Sequence, residues 1–115
     1  MAKHKTSELE GALLDAAVAK AEGREQYVLT ESGGGSFRDF EPSSLWEDGG
    51  PIIERERIEL EWRDNDGWWN GERVGGSRWV ATMDVGVPAQ IGTTPLIAAM
   101  RAYVASKLGE EVELP

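Results

Sequence analysis

Apolar residues recur at helical spacing near both ends of the chain and at strand spacing between them. Leu9, Leu13 and Ala17 repeat every fourth position, and Leu14, Val18 and Ala21 widen the stripe, which predicts a helix with one buried face. Ser7-Glu8-Leu9-Glu10 matches a capping box, in which Ser7 and Glu10 each satisfy a free backbone N–H. Lys20 suits the negative end of the helix and Gly23 its left-handed stop, so the helix is expected from about Glu8 to Glu22. Residues 1–5, which precede the cap, are expected to be disordered.

Gln26–Thr30 is short and rich in strand formers, and reads as a first strand. Ser32-Gly33-Gly34-Gly35-Ser36 reads as a plain loop, because the Gly-Lys-Ser/Thr ending of a phosphate cradle is missing. Ser44 and Glu47 offer a second capping box, but Gly49-Gly50-Pro51 interrupts any helix that begins there. A short broken helical region is therefore expected between Ser44 and Arg57. From Ile58 the period drops to two. Ile58, Leu60 and Trp62 alternate with Glu59, Glu61 and Arg63, the pattern of a strand with one wet face. Asn70-Gly71 signals a tight hairpin, Arg78–Met83 a strand, and Ala89–Ile91 a last short strand.

The final helix has the sharpest boundaries. Thr94 before Pro95 is pushed to extended dihedrals and carries a capping oxygen, and Gly109 stops the helix. Leu96, Ile97, Met100, Tyr103, Val104 and Leu108 form its stripe, with Arg101 and Lys107 as charged exceptions. Beyond it, Val112 and Leu114 alternate with Glu111 and Glu113, so the tail is expected to pair or dock. The sum is a single α+β domain over residues 1–115. Its antiparallel sheet of three to four strands packs with N- and C-terminal helices and a short broken middle helix.

Composition then narrows the chemistry. Cysteine is absent and His4 is the only histidine, which removes thiolate and most imidazole routes to metal binding and nucleophilic catalysis. No metal, cofactor or catalytic residue set is expected. A net charge of −9 repels a phosphate backbone, so no nucleic-acid partner is expected. No apolar run is long enough to span a bilayer, and the basic start leads into Thr6-Ser7-Glu8 without an apolar stretch, unlike a secretory signal. A cytoplasmic protein is expected.

Three constellations remain. Glu54, Glu56, Glu59 and Glu61 suggest paired carboxylates, but Glu59 and Glu61 share the wet face of a strand and simply solvate. Asp64-Asn65-Asp66-Gly67 echoes a calcium loop, yet lacks its later ligands and reads as a turn. The third is Trp62, Trp68, Trp69 and Trp79 with Arg63, Arg73 and Arg78. Such a group builds a protein interface, stacks a planar anionic ligand such as a nucleotide, or places Trp62 and Trp79 in the core on paired strands. Trp68 and Trp69 are adjacent, so on a strand at least one is expected at the surface. The candidate binding set is Trp68, Trp69, Trp79, Arg63, Arg73 and Arg78.

Four segments carry a resemblance. They are Thr6–Leu9 through Ala19–Gly23; Pro42-Ser43-Ser44 with Trp46 and Gly49–Glu54; Thr94–Arg101; and Val104–Gly109. Together they resemble the NinX-like family of small phage and prophage proteins, over about half the chain, with the span from about Glu59 to Ile91 left out. The resemblance implies a phage or prophage origin and a bacterial host cytoplasm, and it carries no catalytic residues. The expected function is a non-enzymatic accessory protein that binds a host or phage protein. The alternative is a small-ligand or nucleotide-binding protein using the Trp/Arg cluster. A homodimer is compatible with either.

Overall fold

The computed structural model describes residues 2–23, 40–64, 67–69, 72–74, 76–84 and 86–114. In chain order these form β1 (Ala2–Lys5), a 3-10 turn (Thr6–Glu8), α1 (Gly11–Ala21), α2 (Trp46–Glu56), β2 (Glu59–Arg63), β3 (Gly67–Trp69), β4 (Glu72–Val74), β5 (Arg78–Thr82), β6 (Gln90–Gly92), α3 (Pro95–Leu108) and β7 (Glu111–Leu114). The fold is α+β, as the spacing predicts. The strand expected at Gln26–Thr30 and the loop at Ser32–Ser36 lie outside the described residues.

Helix α3 is the hub. The Ile97 N–H donates to Thr94 Oγ1 at 3.1 Å, and Gly109 at φ +89° ends the helix. Its alanines are as buried as its large side chains: Ala98, Ala99 and Ala102 are fully enclosed alongside Met100 and Val104. A helix apolar on nearly every side belongs inside a fold, and α3 packs against α1, α2, β2, β5 and β6. Close approach to β6 depends on Gly92, where a Cβ would sit 2.7 Å from the Ala98 nitrogen.

The strands divide into three antiparallel groups. β5 is central in a sheet ordered β2-β5-β6; β3 pairs with β4, and β1 with β7. β3 and β4 prolong the β2–β5 hairpin, since pairing lapses after Arg63↔Arg78 and resumes at Gly67↔Val74. Trp69 pairs with Glu72, as a hairpin between them requires. Asn70 and Gly71 themselves lie outside the described residues.

The expected disorder of residues 1–5 is not what Ala2–Lys5 do. They pair with the tail in the register Ala2↔Leu114 to Lys5↔Glu111. Val112 and Leu114 are buried, and Lys20 Nζ donates to the Glu113 carbonyl at 2.9 Å. Thr6 secures the junction: its N–H donates to the Glu110 carbonyl and its hydroxyl to the Gly109 carbonyl. Only the tail's alternation was legible in sequence, because its partner strand is polar.

Neither capping box forms. Ser7 lies in the 3-10 turn, and extended Glu10 caps α1 without a side-chain bond. Burial of Leu9 sets that junction instead. At the second site, Ser44 and Leu45 close a turn onto the Glu41 carbonyl, and Leu45 caps α2.

Helix α2 is continuous over 11 residues with Pro51 inside it, which corrects the expected broken helix. An interior proline costs about 3 kcal/mol. Here Ile52 is buried in the core, worth about 1.5–3 kcal/mol, and Gly49 lies flat on its neighbours. Arg57 ends the helix in the left-handed region, at φ +55°.

A Cβ at Gly49 would fall 2.5 Å from the Pro42 carbonyl oxygen and 2.7 Å from Leu96 Cδ2. Ala at this helical position gains about 1 kcal/mol in propensity, whereas overpacking against backbone costs about 1–3 kcal/mol. Gly49→Ala is therefore expected to lower stability in urea denaturation by about 1 kcal/mol. Gly50→Ala, with only Trp46 at 3.9 Å, is expected to raise it.

Candidate interaction surface

Period-two alternation places Leu60 and Trp62 on the same face of β2, and pairing with β5 sets Trp62 opposite Trp79. Their rings lie 5.3 Å apart at 58°, within the range of favourable tilted aromatic pairs. Ile58 is buried, Leu60 partly so, and Trp62 remains 49 % exposed. Trp79 is partly buried and packs on the core. The core reading of this pair thus holds for Trp79 in part and does not hold for Trp62, since burial along this face falls from Ile58 through Leu60 to Trp62.

The arginines differ in their availability. Arg63 lies on the other face of β2, and its Nε donates to Glu61 Oε1 at 3.1 Å. The Arg63 guanidinium holds the Glu61 carboxyl below the usual carboxylate range. Arg78 is only 7 % exposed, and its guanidinium donates to the Gly76 carbonyl at 2.9 Å. The β3–β4 register sets Trp68 opposite Arg73 along the backbone. The side chains of Trp68, Trp69 and Arg73 lie outside the described residues.

Trp46, apart from the sequence cluster, is the more exposed of the two large exposed hydrophobics among the described residues, at 56 %. It opens α2, and its ring lies beside Gly50. Its position four residues before Gly50 on a helix is the only local signal that could have pointed to it.

Two groups of ionisable residues link the helices. Glu22 follows α1, Arg55 belongs to α2 and Tyr103 to α3. Arg55 donates to both Glu22 oxygens at 3.1 and 2.7 Å, and the Tyr103 hydroxyl donates to Glu22 Oε2. Burial, then Glu22, pushes the Tyr103 hydroxyl well above its ordinary pKa. Sequence periodicity marks Tyr103 as apolar stripe and cannot reveal these distant partners.

The second group surrounds Asp15, buried on α1, whose Oδ1 accepts from the Ser43 N–H at 2.8 Å. Burial raises its pKa above the ordinary value, against the lowering by Ser43, and Glu41 and Asp48 push the same way as burial. A raised carboxyl pKa means the native state gains stability from protonation as pH falls toward the unfolded value. Asp15→Asn keeps the Oδ1 acceptor and removes the desolvated charge. It is expected to raise the melting temperature at pH 7, with the advantage fading below about pH 4. A constant difference across that range would exclude the charge as the cause.

Among the described residues, no group of three or more His, Asp or Glu is placed to hold a metal ion, and no helix is long and apolar enough to cross a membrane. The chain matches the family model described as Bacteriophage P22, NinX over residues 5–107. The match runs through the tryptophan-rich span that the sequence resemblance leaves out. No curated protein matches the chain.

Proposed function

The chain belongs to the phage NinX family, and from that membership we propose that it is a non-enzymatic, phage-encoded accessory protein. It binds a host or phage protein in the bacterial cytoplasm. The binding surface is the aromatic region based on Trp62 and Trp79 and continued by the strands that carry Trp68 and Trp69. The observation that supports this reading is Trp62, tilted against Trp79 yet half exposed on β2, the outer of the described strands of its sheet. Tryptophan at the centre of an interface commonly dominates binding energy, and an exposed one held by an aromatic neighbour loses little freedom on binding. The excess of acidic residues favours a basic partner surface.

Pull-downs from host lysate with wild type, Trp62→Ala and Trp69→Ala provide the test. The two variants are expected to lose a common set of proteins, and identical partner lists from all three would refute the reading. Of the candidate arginines Arg63, Arg73 and Arg78, the two whose side chains are described already have partners: Arg63 would have to leave Glu61, and Arg78 the Gly76 carbonyl, to meet a nucleotide phosphate. Thermal shift against a nucleotide panel separates that alternative.

A further inference from the structure

Among the described residues, one buried side-chain atom has no hydrogen-bond partner, Gln90 Oε1. Gln90 is 3 % exposed and stands on β6 opposite buried Ala81 of β5. Two residues along, Gly92 lies against Ala98 of α3, so the period of a strand turns Gln90 to the same helical side. A buried acceptor without a donor is destabilising and rare in native folds.

Gln90 lines a cavity of about 340 Å³ together with Lys5, Ser7, Glu110 and Glu111. That volume is at the low end of the range for small-molecule sites, about 300–1,000 Å³. The main chain fixes the frame. Thr6, between Lys5 and Ser7, is fully buried, and its N–H and hydroxyl donate to the Glu110 and Gly109 carbonyls at 2.8 and 2.7 Å. On the other side, Arg101 donates at 2.7 Å to the carbonyl of Ile91, next to Gln90. The polar groups on this frame are uncommitted. Lys5 is opposite Glu111 in the β1–β7 register, yet among the described residues the side chains of Lys5, Ser7, Glu110 and Glu111 form no ion pair or hydrogen bond.

We propose that this cavity binds a small zwitterion carrying a primary ammonium and a carboxylate, as a free amino acid does. The ammonium donates to Gln90 Oε1 and is matched in charge by Glu110 and Glu111. The carboxylate accepts from Lys5 Nζ and the Ser7 hydroxyl. Hydrogen bonds with one charged partner are the stronger kind, and the zwitterion makes them at both ends. A simple anion would face two carboxylates, and a simple cation would face the Lys5 ammonium with nothing to balance it.

Isothermal titration of the pure full chain with glycine, alanine, serine and lysine is the test, with ethylamine and propionate as the two half-ligands. At least one amino acid is expected to bind, and each half-ligand roughly tenfold or more weakly, since each lacks one set of charge-assisted bonds. Gln90→Leu keeps much of the side-chain volume and removes the orphaned amide. It is expected to raise the melting temperature of the unliganded protein and to weaken the amino acid roughly tenfold or more. Lys5→Met and Glu110→Gln change exposed positions. They are expected to leave the melting temperature unchanged and to weaken binding to a similar degree.

No binding by any of these amino acids at millimolar concentration would overturn the proposal. So would a half-ligand that binds as tightly as the best of them, because the site would then read only one charge. An affinity that survives Gln90→Leu or Lys5→Met would overturn it too, by seating the ligand elsewhere. The cavity shares no residue with the tryptophan surface, and the titration contains no host factor, so its outcome and that of the pull-down are read separately.

Discussion

Arg101→Met is expected to lower unfolding stability by about 3 kcal/mol, with a fall in melting temperature of roughly 10 °C. Arg101 looks like a polar interruption in the apolar stripe of α3, but its guanidinium holds two distant carbonyls. Its Nε donates to the Leu9 carbonyl at 2.7 Å and one terminal nitrogen donates to the Ile91 carbonyl at 2.7 Å. It thereby ties the segment entering α1 and the middle of β6 to the same turn of α3. Hydrogen bonds from a charged donor contribute about 1.5–3 kcal/mol each, and their loss leaves two partly buried oxygens unpaired. Burial also disfavours the guanidinium itself, depressing its pKa while Glu10 and Glu8 oppose the shift. That desolvation keeps the expected loss below the simple sum of two bonds. Arg101→Lys keeps the charge but lacks the fork that reaches both carbonyls, and is expected to recover less than half of the loss. Urea denaturation of the three proteins measures both effects, and a loss under about 1 kcal/mol for the Met variant would show that the bridge contributes little.

Tyr103→Phe is expected to cost about 2 kcal/mol near neutral pH, the value of a buried hydroxyl donating to a carboxylate. Tyr103 is 1 % exposed, and phenylalanine in its place offers no donor to the Glu22 oxygen. Arg55 contributes less than its short distances suggest, since its side chain is 50 % exposed and solvent screens the pair. Arg55→Gln is accordingly expected to cost about 0.5–1 kcal/mol. The alkaline limb separates the hydroxyl from mere packing. The pKa of Tyr103 is raised in the native state, so its contribution is fully present below the unfolded value of about 10 and is lost as pH rises beyond it. Wild type and Tyr103→Phe should therefore keep a constant stability difference to about pH 9.5 and converge above pH 10, by about 1.4 kcal/mol per pH unit. Parallel curves to pH 11 would mean that the hydroxyl proton is not held as the geometry indicates.

The parts of the fold legible in sequence were those fixed by short-range chemistry. Thr94-Pro95 and Gly109 bound α3 because a pre-proline residue, a capping oxygen and a left-handed stop act within a few residues. The alternation at Ile58–Trp62 identified β2, and the Asn70-Gly71 signal anticipated the pairing of the strands on either side of it. Of the candidate surface, residue types and the pairing of Trp62 with Trp79 were legible, but not which ring meets solvent. Exposure depends on what the folded chain packs over each ring, and no local pattern records that.

Local signals failed where a distant contact was stronger. Two capping boxes gave way to burial of Leu9 and to the turn around Glu41, and the Gly-Gly-Pro break gave way to packing of Gly49 and Ile52 on their neighbours. Residues Ala2–Lys5 read as a polar end, yet they pair with a tail more than 100 positions away. Backbone dihedrals and side-chain period were enough to set the boundaries of α3 and the face of β2 before any packing was known. What Arg101 and Tyr103 hold, and which tryptophans remain exposed, emerged only once the chain was folded. Both depend on groups far apart in the chain meeting in a water-poor interior, where hydrogen bonds and packing outweigh local preference.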